Sequence, residues 1–140
     1  MAYDTQNAFA KILRGEIPCF KLHEDAHTLA FMDIMPQVAG HALVIPKEAA
    51  TTLFELSEEA AAAVMRTVRK VGAAQQKALG AEGIVLMQLN GEAAGQSVPH
   101  FHMHVIPGSI ADLRKPHAAV MGNMDEIKAL ADRIRAALAD

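Results

Sequence analysis

The sequence predicts an α+β domain: an antiparallel sheet of about five strands, the usual sheet size, covered by one long helix. Three observations support this. Short apolar runs rich in strand-forming residues recur between Gly and Pro positions, at 19–24, 28–33, 40–47 and 84–89. Residues 57–80 carry apolar side chains at near-helical spacing. His100, His102 and His104 alternate with Phe101, Met103 and Val105, as a strand with two chemically different faces requires.

Taken in order, Thr5 to Gly15 reads as a short helix with Phe9, Ile12 and Leu13 on one face, Gly15 at its stop and Asp4 or Thr5 as its cap. Pro18 forces an extended exit. Cys19 to Glu24 and Thr28 to Asp33 form a hairpin, whose second strand ends in a carboxylate placed to reach the rim of a site. Gly40 to Lys47 is a third strand beginning at His41. Ser57 caps the long helix, Glu58 and Glu59 supply an acidic first turn, and Ala61, Val64, Met65, Val68 and Val71 continue its apolar stripe to Gly80. Ile84 to Leu89 and the histidine strand complete an antiparallel meander. The segment 110–122 shows no periodicity. Asn123 and Glu126 match a capping box ahead of a final helix with Ile127, Leu130, Ala131, Ile134 and Leu138 on one face.

A chain of 140 residues is the size of one ordinary domain, with a core at about 5–108 and a C-terminal extension at about 109–140. The sequence is 51% hydrophobic but only 4% aromatic, so the core is aliphatic and the phenylalanines occupy selected sites. The net charge of -3 and the lack of any Lys/Arg run exclude a nucleic-acid partner held by a broad basic surface, while one bound nucleotide remains compatible. Cys19 is the only cysteine and cannot form an internal disulfide. No stretch resembles a secretory signal or the ~18 apolar residues of a membrane span. The expectation is a soluble cytoplasmic protein with no membrane partner.

The chemistry concentrates at the loop Asn90 to Pro99 and the strand that follows it. Glycines let backbone approach a ligand closely, and N–H groups in such a turn form a concavity suited to phosphate. Three imidazoles on one strand face are more than structure needs. They either bind zinc, as three-histidine sites do, or place one ring to attack phosphorus while its neighbours orient it and hold oxygens. The phosphate-suited loop favours the second reading. His23, His27 and His117 read as ordinary polar residues without a role.

Gly95-Gln96-Ser97-Val98-Pro99-His100-Phe101-His102-Met103-His104-Val105-Ile106 resembles the signature of the histidine triad family. Phe9 to Pro18 is similar to that family's N-terminal helix, and Ala30 to Ile34 with Gly40 to Lys47 to its second conserved block. The resemblance implies a HIT-like fold and nucleotidyl hydrolysis or transfer in two displacements. His102 matches the nucleophile, His100 its orienter, and His104 the residue contacting the phosphoryl group, with His41 paired to it. Gln96 and Ser97 match residues near the bridging atom and phosphate, and Asn90 a loop residue near the phosphate.

Asp33 matches the ribose-hydroxyl acceptor, and Phe9, Ile12, Phe31 and Ile34 match the walls of a purine slot; without the resemblance these four read as ordinary core. The implied substrate is a purine nucleoside monophosphate, AMP or GMP, joined to an amine. A dinucleoside polyphosphate hydrolase and a nucleotide-binding module with negligible turnover are the alternatives. The resemblance also implies a homodimer. No cofactor is required. Many members bind a structural zinc through Cys-x-x-Cys, a later histidine and the first triad histidine; here Asn7, Ala10 and Ala49 stand at those places, so the expectation is that this zinc is absent. By the same resemblance, Gly108 stands where the bacterial branch often carries an arginine, so a contact to a long substrate is not expected from that position.

Overall fold

The computed structural model describes residues 2–115 and 120–139. Its elements are α1 (Ala8–Leu13), β1 (Lys21–Glu24), β2 (Thr28–Met32), β3 (Ala42–Pro46), α2 (Glu58–Leu79), β4 (Ile84–Met87), β5 (Met103–Pro107) and α3 (Met124–Leu138). The expected helices and strands are all present, and every neighbouring strand pair is antiparallel. His117 lies outside the described residues.

The strand order, β1-β2-β3-β5-β4, corrects the expected meander. The 22 residues of α2 span roughly 33 Å at ~1.5 Å per residue. They carry the chain past the strand next to β3, so β4 forms the far edge, and β5 returns into the gap. There Ala42 pairs with Val105 on one side, while Leu86 pairs with Val105 on the other. The last strand made is therefore internal, between β3 and the β4 edge, and it carries the end of the histidine motif.

β2 and β3 are buried at every position because both faces of the sheet are covered. Ala30, Met32, Ala42, Val44 and Val105 face α2 and α3, where they pack with Val64, Val68, Val71, Ile127 and Ile134. Leu29, Phe31, Leu43 and Ile45 point the other way, toward Phe9 of α1. This is the period-2 alternation of a strand read out on two cores. Each such aliphatic side chain, fully buried, contributes on the order of 1.5–3 kcal/mol. The buried hydroxyls of Thr28 and Thr67 meet at 2.7 Å and join β2 to α2.

Helix ends follow local chemistry. Ser57 accepts from Ala60 N, and Gly80 closes α2 in the left-handed region at φ 66°, where glycine has no Cβ penalty. The cap of α1 is Asn7, not Asp4 or Thr5: its side chain accepts from Ala10 N, so the helix starts later than the periodicity suggested. Asn123 accepts from Glu126 N, the first of the two bonds of a capping box. Within 110–122, Ile110–Asp112 forms a 3₁₀ turn capped by Ser109.

Candidate active site

The histidine motif departs from the expected strand at its start. β5 begins at Met103, so His100 and His102 precede the ladder. His100 N donates to Val98 O and Phe101 N to Ala50 O, which holds this stretch in a bend before pairing begins. The facing pattern survives the bend, since Phe101 and Val105 enter the core beneath α2 and Met103 packs against it. His100, His102 and His104 are all buried, and the rings of His102 and His104 lie 5.0 Å apart between centroids.

Buried polar groups need partners, and those partners define the protons on these rings. His102 Nδ1 lies 2.7 Å from the backbone carbonyl of His100. A carbonyl only accepts, so Nδ1 carries the proton and Nε2 presents a lone pair in the neutral ring. Gln37 N donates to His41 Nδ1 at 3.0 Å, so the neutral His41 carries its proton on Nε2. That nitrogen lies 2.9 Å from His104 Nδ1 and 3.4 Å from the Asp33 carboxylate. His104 Nδ1 therefore accepts, and its own proton resides on Nε2. His100 Nε2 lies 2.8 Å from Pro46 O and burial pushes the pKa of this ring down. The result is a lone pair on His102 beside a donor on His104.

An open cleft of about 290 Å³ leads to these rings, near the low end of the ~300–1,000 Å³ of small-molecule sites. Its polar end holds Asp33, Ser97, His102 and His104, and its apolar walls include Phe9, Ile12, Phe31 and Ile34. Phe9 stands edge-on to Phe31 at 5.4 Å and to His102 at 4.9 Å. Phe9 and Phe31 belong to a core cluster that Ile12 packs against and also line the cleft, while Ile34 is 41% exposed at the rim. Ile17, Cys19, Leu43 and Val98 also line it. Leu43 could have been found from alternation with the buried face of Ile45, whereas Ile17 and Cys19 flank a proline in irregular chain and carry no periodic signal.

Other expected site residues lie elsewhere. His41 is buried behind His104, and His100 sits beneath His102. The Gln96 carbonyl accepts from Gly91 N at 2.7 Å, while its amide nitrogen donates to Thr51 O and Val98 O. Gln96 thus braces the loop, and with Ser97 it lines an adjoining cleft. Asn90 exchanges amide hydrogen bonds with Gln88 and accepts from Leu53 N, outside the main cleft. Within this loop the N–H groups of Gly91, Ala94, Gly95 and Gln96 bond inside the turn, while Ser97 lines the main cleft. His23 pairs with Asp25, away from the cleft.

Among the described residues, Asp33, His41 and His104 bring three possible metal-ligand atoms within 4.8 Å of one another. The short His41–His104 contact makes this first a hydrogen-bonded relay, which a cation would have to break.

A five-stranded antiparallel sheet carrying a buried His-x-His-x-His on an internal strand and in the bend before it defines the class. The HIT domain model matches residues 14–110, and the chain belongs to the HIT domain family. It is 50% identical over 99 residues to adenosine 5'-monophosphoramidase hnt1 of Schizosaccharomyces pombe, covering 71% of each chain. Among solved structures, a HIT-like protein of Bartonella henselae, described as involved in cell-cycle regulation, superposes with TM-score 0.89 at 40% identity, covering 98% of this chain and 99% of that one. A zinc-bound histidine triad family protein of Mycobacterium smegmatis superposes with TM-score 0.82 at 30% identity, covering 96% of this chain and 94% of that one.

Proposed function

We propose that this protein cleaves a purine nucleoside 5'-monophosphate from an amine through a covalent nucleotidyl-His102 intermediate. The observation that carries the reading is the bond from His102 Nδ1 to His100 O, which aims the Nε2 lone pair while the cleft brings Ser97 and His104 beside it. The name of the fission-yeast relative, an adenosine monophosphoramidase, supports the same chemistry.

In the first displacement His102 Nε2 forms a bond to the α-phosphorus as the substrate P–N bond breaks. The bonding pair departs on the amine nitrogen, which takes a proton from the Ser97 hydroxyl. Water oxygen then displaces His102, and its proton restores Ser97. His104 Nε2–H donates to a phosphoryl oxygen as charge builds there. Asp33 accepts from the ribose hydroxyls at the rim, and Phe9, Ile12, Phe31 and Ile34 enclose the base. No metal or organic cofactor enters these steps.

The reading includes a homodimer: β4 is an edge strand on which Leu86 is exposed, a surface another copy could cover. It also includes a cytoplasmic location, consistent with a lone half-buried cysteine. Among the described residues no helix is long and apolar enough to cross a membrane.

The test follows AMP release and intact protein mass after mixing with an adenosine phosphoramidate, for wild type and His102→Ala. Release by the wild type, with a transient adduct of one AMP that the variant lacks, is the expected result. Equal turnover by both proteins overturns the nucleophile assignment. Faster turnover of a diadenosine polyphosphate than of the phosphoramidate overturns the amine as leaving group.

A further inference from the structure

The resemblance to the histidine triad family implies a structural zinc in many members, held in part through the first triad histidine, whose place is His100 here. Zinc takes a ring nitrogen that offers a lone pair, together with three further N, O or S ligands. At Asn7, Ala10 and Ala49 there is a neutral amide and two methyl groups. Both ring nitrogens of His100 are already engaged, Nε2 by Pro46 O at 2.8 Å and Nδ1 by the Tyr3 hydroxyl at 2.5 Å. This donor set does not fit zinc.

What occupies the place is a chain of hydrogen bonds with one consistent direction. His100 Nε2 donates to a carbonyl, so Nδ1 accepts and the Tyr3 hydroxyl donates to it. Asn7 Nδ2 in turn donates to the Tyr3 oxygen at 2.8 Å and to Asp4 O at 2.7 Å. Asn7 Oδ1 meanwhile caps α1, so the helix terminus and the phenol are held by one side chain. The Tyr3 ring stands edge-on to His100 at 5.6 Å. Beyond His100, its own carbonyl accepts from His102. Asn7, Tyr3, His100 and His102 thus form a continuous path from the N-terminal segment to the ring assigned as nucleophile.

We propose that Tyr3 and Asn7 take over the structural task of the absent zinc, making Tyr3 a positioning residue that fixes His100 and, through the His100 carbonyl, the His102 ring. The role toward His102 rests on the function proposed above; the substitution for zinc does not. The chain's single tyrosine, outside the matched family region, is on this view part of the active site.

The experiment uses wild type, Tyr3→Phe and Asn7→Asp. Tyr3→Phe keeps the ring and removes the donor; Asn7→Asp keeps an oxygen to cap α1 but cannot donate to the phenol. Three readouts are taken: zinc content and zinc titration, ring ¹⁵N signals of the histidines by NMR, and steady-state kinetics on an adenosine phosphoramidate. Thermal melts confirm that each variant is folded.

Zinc-free wild type whose activity resists chelator is expected, with His100 as a single Nε2–H tautomer. In both variants the His100 Nδ1 signal moves, and kcat falls about tenfold while KM stays within twofold. Stoichiometric high-affinity zinc on the wild type, or unmoved His100 signals in Tyr3→Phe, overturns the substitution for zinc. Moved signals with unchanged kcat overturn the positioning role. If wild type shows no turnover, the proposed function fails and the positioning role with it, while the zinc and NMR readouts still decide the substitution.

Discussion

His41 Nε2 and His104 Nδ1 lie 2.9 Å apart although 63 residues separate them in the chain. The contact exists because β3 and β5 are neighbours, with Leu43 opposite His104 in the register. His41 begins this relay with Nδ1 held by Gln37 N and with Asp33 at its other nitrogen. A backbone amide thus sets the proton on His41, and His41 sets it on His104.

Replacing His41 with Ala removes the donor to a buried ring nitrogen. An unmet buried polar group costs about 1–3 kcal/mol, and if that appears in the transition state, kcat for an adenosine phosphoramidate falls roughly 5- to 150-fold. KM changes little, because the ring lies behind the cleft rather than in its lining. Steady-state kinetics on the folded variant check this, and an unchanged kcat would separate His41 from the reaction.

Asp33 presents one oxygen to Met35 N at 2.8 Å and the other to His41, which holds the carboxylate at the polar end of the cleft. Asp33→Asn should weaken binding of a ribonucleotide by about 1.5–3 kcal/mol, the range for a hydrogen bond to a charged group. A 2'-deoxy substrate should lose less. Comparing kcat/KM for the ribo and deoxy phosphoramidates tests the assignment, and equal losses would place the ribose elsewhere.

Burial lowers the pKa of His100 below its ordinary 6.5, against the opposing bond to Pro46 O. The folded ring stays neutral while the unfolded chain takes up a proton near 6.5, so the unfolded state binds more protons in the interval below that value. The stability contributed by the neutral ring is complete above about pH 6.5 and is lost as pH falls toward the folded-state pKa. Melting temperatures of wild type and His100→Gln, measured from pH 8 to 5, should therefore converge on acidification. A constant gap would argue against a depressed pKa.

Ile134 on α3 is fully buried in the core shared by the sheet and α2. Ile134→Ala should destabilise the protein by about 2–5 kcal/mol, lost burial plus a cavity, with the urea midpoint falling and the slope unchanged. A cost below 1 kcal/mol would show that α3 contributes little to this core.

Local pattern made much of this molecule legible. The apolar alternation of Phe31, Leu43 and Val105 and the helical stripe of Val64, Val68 and Val71 depend only on nearest-neighbour geometry. Ser57 and Gly80 mark the ends of α2 for the same reason. The residues assembled at the cleft were legible too, but chiefly through resemblance: an apolar Phe9 looks like core until something identifies the slot it faces. The departure of the strand order from a meander was not legible, because no local signal reports which edge a strand joins after a 22-residue helix. The loop conformation was not legible because glycine permits an open concavity and a closed turn equally, and here the Gln96 side chain accepts from Gly91 N and ties the two ends of the turn together.

The sequence by itself determined the chemistry available: three imidazoles at alternate positions, a carboxylate at a strand end, and a single cysteine. Tertiary structure alone decided which partner each ring nitrogen meets. Inserting β5 between β3 and β4 brings His41 to His104, and folding the N-terminal segment back brings Tyr3 to His100. An imidazole's proton can sit on either nitrogen at little cost, so its role is set by whichever donor or acceptor the fold places 2.5–3 Å away.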